Sequence, residues 1–113
     1  MPVFLEQRPV NAEQAAFFSR VLRDDGDARA CLQDQLATGE GSIYAGIFNG
    51  APVAMALVRG TPARLEQLVV HPATRGRGVG TEVLRLLARE QPGLEIPPAL
   101  SVLAARAGLG NAG

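Results

Sequence analysis

Residues 75–81, RGRGVGT, set two arginines and three glycines at the point where an apolar run gives way to a helical pattern. The wider stretch VVHPATRGRGVGTEVLRLLA, residues 69–88, reads as a strand stopped at His71-Pro72, a bare turn and then a helix. A helix's first turn carries N–H groups without internal acceptors and the positive end of the dipole. Gly76, Gly78 and Gly80 remove Cβ atoms where a ligand must approach that backbone, while Arg75 and Arg77 supply charged donors suited to phosphate oxygens. The pattern predicts a local anion site with a pyrophosphate as its guest.

Spacing separates the phosphate loops that such a turn could represent. A nucleotide P-loop needs four residues between its glycines and then Gly-Lys-Ser/Thr, whereas these glycines alternate and the chain has no lysine. A dinucleotide fingerprint needs G-x-G-x-x-G near the start of a βαβ unit, and here G-x-G-x-G follows an antiparallel meander. Glu66 lies on the strand ahead of the loop, as either a proton acceptor or a solvated carboxylate paired with Arg64. His71, the only histidine, precedes Pro72 at the strand exit and is read as structural or close to a phosphate. Cys31 is read as inert packing and Tyr44 as a half-buried strand residue.

The elements that must position this loop follow from local signals. PVFLEQ reads as an opening strand. NAEQAAFFSRVLRD reads as a helix capped by Asn11, with Ala15, Phe18, Val21 and Leu22 on one face. A second helix, DARACLQDQLAT, takes Asp27 as its cap, buries Ala28, Cys31, Leu32 and Leu36, and stops at Gly39. SIYAGIFNGAPVAMALVRG is a hairpin, since Asn49-Gly50 supplies the positive-φ pair of a type I′ turn. LEQLVVHP completes a three-stranded antiparallel meander. The apolar set Val79, Val83, Leu84, Leu86 and Leu87 predicts a helix to Glu90; LEI then reads as a short parallel strand and PALSVLAARAGL as a last helix.

Composition bounds the function. The 113 residues fit one domain, and 47% hydrophobic with 19% charged is a globular balance. Net charge is zero, which argues against nucleic acid or an anionic membrane as partner. One cysteine excludes an internal disulfide and a Cys-rich zinc site, and no apolar run reaches the ~20 residues of a membrane span. A soluble, cytoplasmic protein is expected. The all-arginine basic set suggests a GC-rich bacterial source.

LVVHPATRGRGVGTEVLRLLA resembles the acetyl-CoA-binding segment of the GNAT acyltransferase superfamily, through Arg75, Gly78 and Gly80. The order of elements is also similar to that family from residue 1 to about residue 97. The resemblance implies an α/β (α+β) fold with a mixed, mostly antiparallel sheet and flanking helices, shortened at the C-terminus. It implies acetyl-CoA as cofactor and acetyl transfer to an unidentified amine. Pantetheine would lie along Leu68, Val69 and Val70, and the pyrophosphate on the N–H groups of Gly76, Arg77, Gly78, Val79, Gly80 and Thr81. A backbone N–H at Val69 or Val70 would polarise the thioester carbonyl, and Glu66 is the candidate base. The family's leaving-group tyrosine, counted back four residues from Gly108, falls on Ala104. SIYAGIFNGAPVAMALVRG with Arg77–Gly80 is also similar to a small acetyl-CoA sensor family that binds and matures aspartate decarboxylase, which would make the partner a protein. An early end after the fifth strand leaves an open sheet edge, from which a homo-oligomer is expected.

Overall fold

A computed structural model of the chain describes residues 2–109. Met1 and residues 110–113, on which the early C-terminal ending was read, lie outside the described residues. Strands β1 (Phe4–Arg8), β2 (Ser42–Phe48), β3 (Ala51–Arg59) and β4 (Arg64–Val70) form an antiparallel sheet in the order β1-β2-β3-β4. Helices α1 (Glu13–Phe17) and α2 (Gly26–Thr38) lie between β1 and β2, and α3 (Val79–Glu90) and α4 (Ser101–Arg106) follow β4.

Both faces of the sheet are covered, so β3 reads as a continuous apolar run rather than an alternation. Ile43, Ala45, Met55, Leu57 and Val69 pack with Phe18, Leu22, Ala28 and Leu32 on the α1–α2 face. Tyr44, Ala56, Val58 and Leu65 pack with Leu84, Leu87 and Ala104 on the other. α3 comes so close to β2 that a Cβ on Gly46 would stand 2.8 Å from Val83 Cγ2. The β2–β3 turn has the expected geometry, with φ of 51° at Asn49 and 76° at Gly50.

Several expectations are corrected. The first helix stops at Phe17, yet Phe18, Val21 and Leu22 stay buried within the turns that continue to Asp24. Ala15 is exposed and Gln14 is buried in its place, held by Arg8 and Asn11. Asp25, not Asp27, caps α2, its Oδ1 accepting the Ala28 N–H at 2.9 Å. LEI forms no strand: Glu95 makes a single parallel bridge to Arg64, with paired bonds to Leu65 and Ala63. Gly93 on one side and Pro97-Pro98 on the other leave no room to lengthen it, since proline donates nothing to a ladder.

Candidate functional site

That solitary bridge leaves β4 unpaired on its outer side from Glu66 onward among the described residues. Alternation decides which backbone groups face the free edge. The His71 N–H donates to Val53 O at 2.7 Å, so residue 71 points toward β3; Val69 then does so too, while Leu68 and Val70 turn outward. Val69 therefore has its side chain in the α1–α2 core and its amide toward β3. Leu68 and Val70 line an open cleft of about 280 Å³.

The glycine turn and α3 form the rest of that cleft. Gly76 and Gly78 both have positive φ, 80° and 78°, a conformation that favours glycine, and Gly78 is the N-cap of α3. The first amide to bond inside the helix is that of Glu82, to Gly78 O at 3.1 Å, so the N–H groups of Val79, Gly80 and Thr81 have no helical acceptor. Arg75, Gly76, Gly78, Val79, Gly80 and Thr81 all line the cleft; Arg77 is exposed nearby and makes no ion pair among the described residues. α3 is held by burying Val79, Val83, Leu84 and Leu87, the stripe its sequence period requires.

Two lining residues escaped the sequence: Leu103 and Arg106, one turn apart on α4. Their i, i+3 spacing was visible, but which face they occupy depends on how α4 docks. Gly108 ends α4 with φ of 75°, its N–H and that of Leu109 bonding back to Ala105 O and Ala104 O at 3.1 Å. Ala104 consequently faces the core beside Tyr44, not the cleft. Tyr44 is itself buried, its hydroxyl accepting from Gln91 Nε2 at 2.9 Å. Among the described residues, no tyrosine, cysteine or histidine lines the cleft.

Arg75 is placed differently from the expectation of a free phosphate ligand. Its Nε donates to Val70 O at 3.2 Å, and its two terminal nitrogens donate to both carboxylate oxygens of Asp24 at 3.0 and 3.1 Å. This fork ties the glycine turn to the α1–α2 connector across 51 sequence positions. The Arg75 hydrogen bond holds the Asp24 carboxyl below the usual carboxylate range, against a smaller opposing effect of desolvation.

Glu66 occupies a bulge. Leu57 pairs with Gln67 and Val58 with Leu65, which leaves Glu66 without a cross-strand partner and exposed. It acts on Cys31 electrostatically from the α2 side, away from the cleft lining; burial, first, and then this charge push the Cys31 thiol up, in keeping with inert packing. His71 caps the turn Pro72–Thr74, its Nδ1 accepting the Ala73 N–H at 3.0 Å. No group of three or more potential metal ligands exists among the described residues, and no helix there is long and apolar enough to cross a membrane.

The profile of the acetyltransferase (GNAT) family matches residues 7–105. No curated protein matches the chain. Among solved structures, an IAA acetyltransferase from Bacillus cereus superposes with a TM-score of 0.68 at 19% identity, over 93% of this chain and 75% of that one. A ribosomal-protein-alanine N-acetyltransferase from Brucella melitensis gives 0.63 at 14%, over 92% and 86%. The putative N-acetyl transferase YhhK from Escherichia coli, bound to coenzyme A, gives 0.58 at 24%, over 82% and 71%. With the profile spanning both the unpaired strand and the glycine turn, the chain belongs to the acetyltransferase (GNAT) family.

Proposed function

We propose that this chain binds acetyl-CoA in the glycine-turn cleft and moves its acetyl group to an amine. The observation that supports the reading most is the meeting, in one cleft, of unbonded first-turn amides of α3 with the free edge of β4. The residues fit the cofactor: a Cβ on Gly80 would fill the space between Val70 and Leu103, so glycine keeps it open.

The amides of Gly76 to Thr81 would take the pyrophosphate, with Arg106 in the lining and Arg77 exposed beside it as cations that no ion pair holds among the described residues, and the Thr81 hydroxyl as a further donor. Leu68 and Val70 would pair with the pantetheine amides as a neighbouring strand does. Bound acetyl-CoA would supply the activated thioester. The outward amide of Val70 or Leu68 is the candidate donor to its carbonyl, since Val69 points to β3. Glu66, released from the ladder by its bulge and exposed on the α2 side rather than in the cleft lining, is the candidate acceptor for the proton of an amine that approaches from that side. Among the described residues no side-chain acid lines the cleft to protonate the departing thiolate, and a thiol of pKa about 8.5 leaves without one. Calorimetry with acetyl-CoA tests the shared claim of binding, and its absence at millimolar ligand would overturn it.

The same lack of an acid favours a second reading, a non-catalytic acetyl-CoA sensor that docks on a protein of the aspartate decarboxylase kind. Thiol release across an amine panel separates the two: tight binding without turnover selects the sensor. We also read the chain as cytoplasmic and self-associating. Exposed Phe4 on edge strand β1 and Val102 on α4 support the latter.

Asp24 stands as a rival to phosphate for Arg75. Replacing Asp24 with asparagine should tighten acetyl-CoA binding about three- to tenfold, because it frees the bidentate fork of Arg75, a cleft residue, and removes the anion paired with it. The gain should shrink as salt rises from 20 to 300 mM. Because the folded-state pKa of Asp24 is depressed, its contact is complete above the ordinary carboxylate value and is lost only as pH falls through the lowered one. Across neutral pH the wild-type contact should therefore not vary, which carboxylate chemical shifts of Asp24 would check.

A further inference from the structure

The turn His71–Arg75 has a second hollow on its other side. This cavity, about 380 Å³, opens on the α1–α2 face between the end of α1, the start of β3 and the strand exit, and shares only Thr74 with the glycine-turn cleft. It lies beside β3, away from the free edge of β4, so it is not an extension of the acetyl-CoA cleft.

Its walls and its polar groups are of two kinds. Phe17, Pro52 and Val53 supply apolar surface. Phe17 is fixed, since Arg8 stacks on its ring at 3.8 Å and Phe18 meets it edge-on. The polar lining is Ser19, Arg20, His71 and Thr74, the Thr74 hydroxyl donating to His71 O at 3.1 Å. Arg20 makes no ion pair among the described residues. Ser19 carries a hydroxyl. His71 is anchored through its N–H to Val53 O, its carbonyl to Thr74 and its Nδ1 to the Ala73 N–H, which leaves an Nε2–H as its remaining donor. Among the described residues, no Asp or Glu lines the cavity. One anchored donor, His71, and the exposed Arg20 at the rim of an apolar hollow of this volume match the makeup of small-molecule sites.

The geometry points to a binding site for a small monocarboxylate with an apolar body, its carboxylate on Arg20 and the His71 Nε2–H, its body against Phe17, Pro52 and Val53. A polyphosphate would waste the apolar wall, and an amine would meet a cation with no acid to balance it.

Titration of 4-phenylbutyrate into the full chain, followed by amide chemical shifts, tests this. The expected result is saturable binding in the micromolar to millimolar range, with shifts centred on residues 16–20, 51–53 and 71–74. The matched neutral amide, 4-phenylbutanamide, should bind about tenfold more weakly, the loss expected when a charge-assisted contact is removed. Arg20→Gln should erase that preference, while Arg89→Gln, on the far end of α3, should keep it. Equal binding of acid and amide, an unaffected Arg20→Gln, shifts confined to residues 76–81, or no saturable binding would each overturn the proposal. None of these outcomes depends on whether the chain binds acetyl-CoA.

Discussion

Gly80→Leu should abolish acetyl-CoA binding, by a hundredfold or more, while leaving the chain as stable as before. A Cβ at residue 80 would stand 3.4 Å from Val70 Cγ2 and 3.5 Å from a Leu103 methyl, ordinary contact distances, so the first atom of the new side chain fits without moving the backbone. It would project into the space that the first-turn amides and the β4 edge share, where the phosphate and the start of pantetheine are proposed to lie. Residue 80 is already helical, with no positive φ, and leucine is a better helix former than glycine by up to about 0.8 kcal/mol. The melting temperature should hold or rise slightly. This distinguishes the position from Gly78, where φ of 78° would add strain of about 1–2 kcal/mol for any side chain and blur lost binding with lost folding. Isothermal titration with acetyl-CoA alongside a thermal melt reads both quantities. Wild-type affinity in Gly80→Leu would place the ligand outside this cleft.

The cleft was legible where local rules carry the information. The Asn49-Gly50 turn, the Gly39 stop with its φ of 70°, and the full extent of α3 from Val79 to Glu90 follow from turn chemistry and apolar period alone. The sequence pattern overextends the first helix because Phe18, Val21 and Leu22 keep helical spacing where the bonding turns mixed, Leu22 N–H still reaching Phe18 O four residues back. Ser19 N–H bonds to Ala16 O and Arg23 N–H to Arg20 O, three residues back, so the same side chains reach the core from turns. The place of Arg75 in the glycine segment points to phosphate, and its partner is not readable because Asp24 closes the stretch read as the first helix, 51 positions away, with no local signal that links the two. Ala104 was compared with the family's tyrosine by counting from Gly108, but the docking of α4 turns Ala104 inward and gives the cleft Leu103 and Arg106. Buried Gln14 and Gln35 escape the sequence for the same reason: the fold brings the partners, Arg8 and Asn11 for Gln14 and the Ser42 and Val58 carbonyls for Gln35 Nε2, while Gln35 Oε1 has none among the described residues.

Gly41→Ala should destabilise the fold by about 3–5 kcal/mol, the sum of a left-handed backbone cost and the loss of buried hydrogen bonds. Gly41 has φ of 76°, and a Cβ there would fall 2.2 Å from Val58 O, 2.8 Å from Gln35 Nε2 and 2.9 Å from Arg59 Cγ. The carbonyl of Val58 cannot yield, because it belongs to β3, paired on both sides within the sheet. The Gln35 amide cannot yield either without orphaning carbonyls, since it is fully buried and donates to Ser42 O and Val58 O at 3.2 and 3.4 Å. Gly39→Ala provides the matched comparison: its φ of 70° is nearly the same, but its Cβ would meet nothing within 4 Å. That variant should lose only about 1 kcal/mol, the conformational part alone. Urea unfolding of the two variants therefore separates backbone strain from the clash, provided the m-value is unchanged. A cost at Gly41 no greater than at Gly39 would mean that the end of α2 does not press on β3 as described. A cost several times larger would show that the Gln35–Val58 contact fixes β3, the strand on which β4 and the free edge of the cleft are aligned.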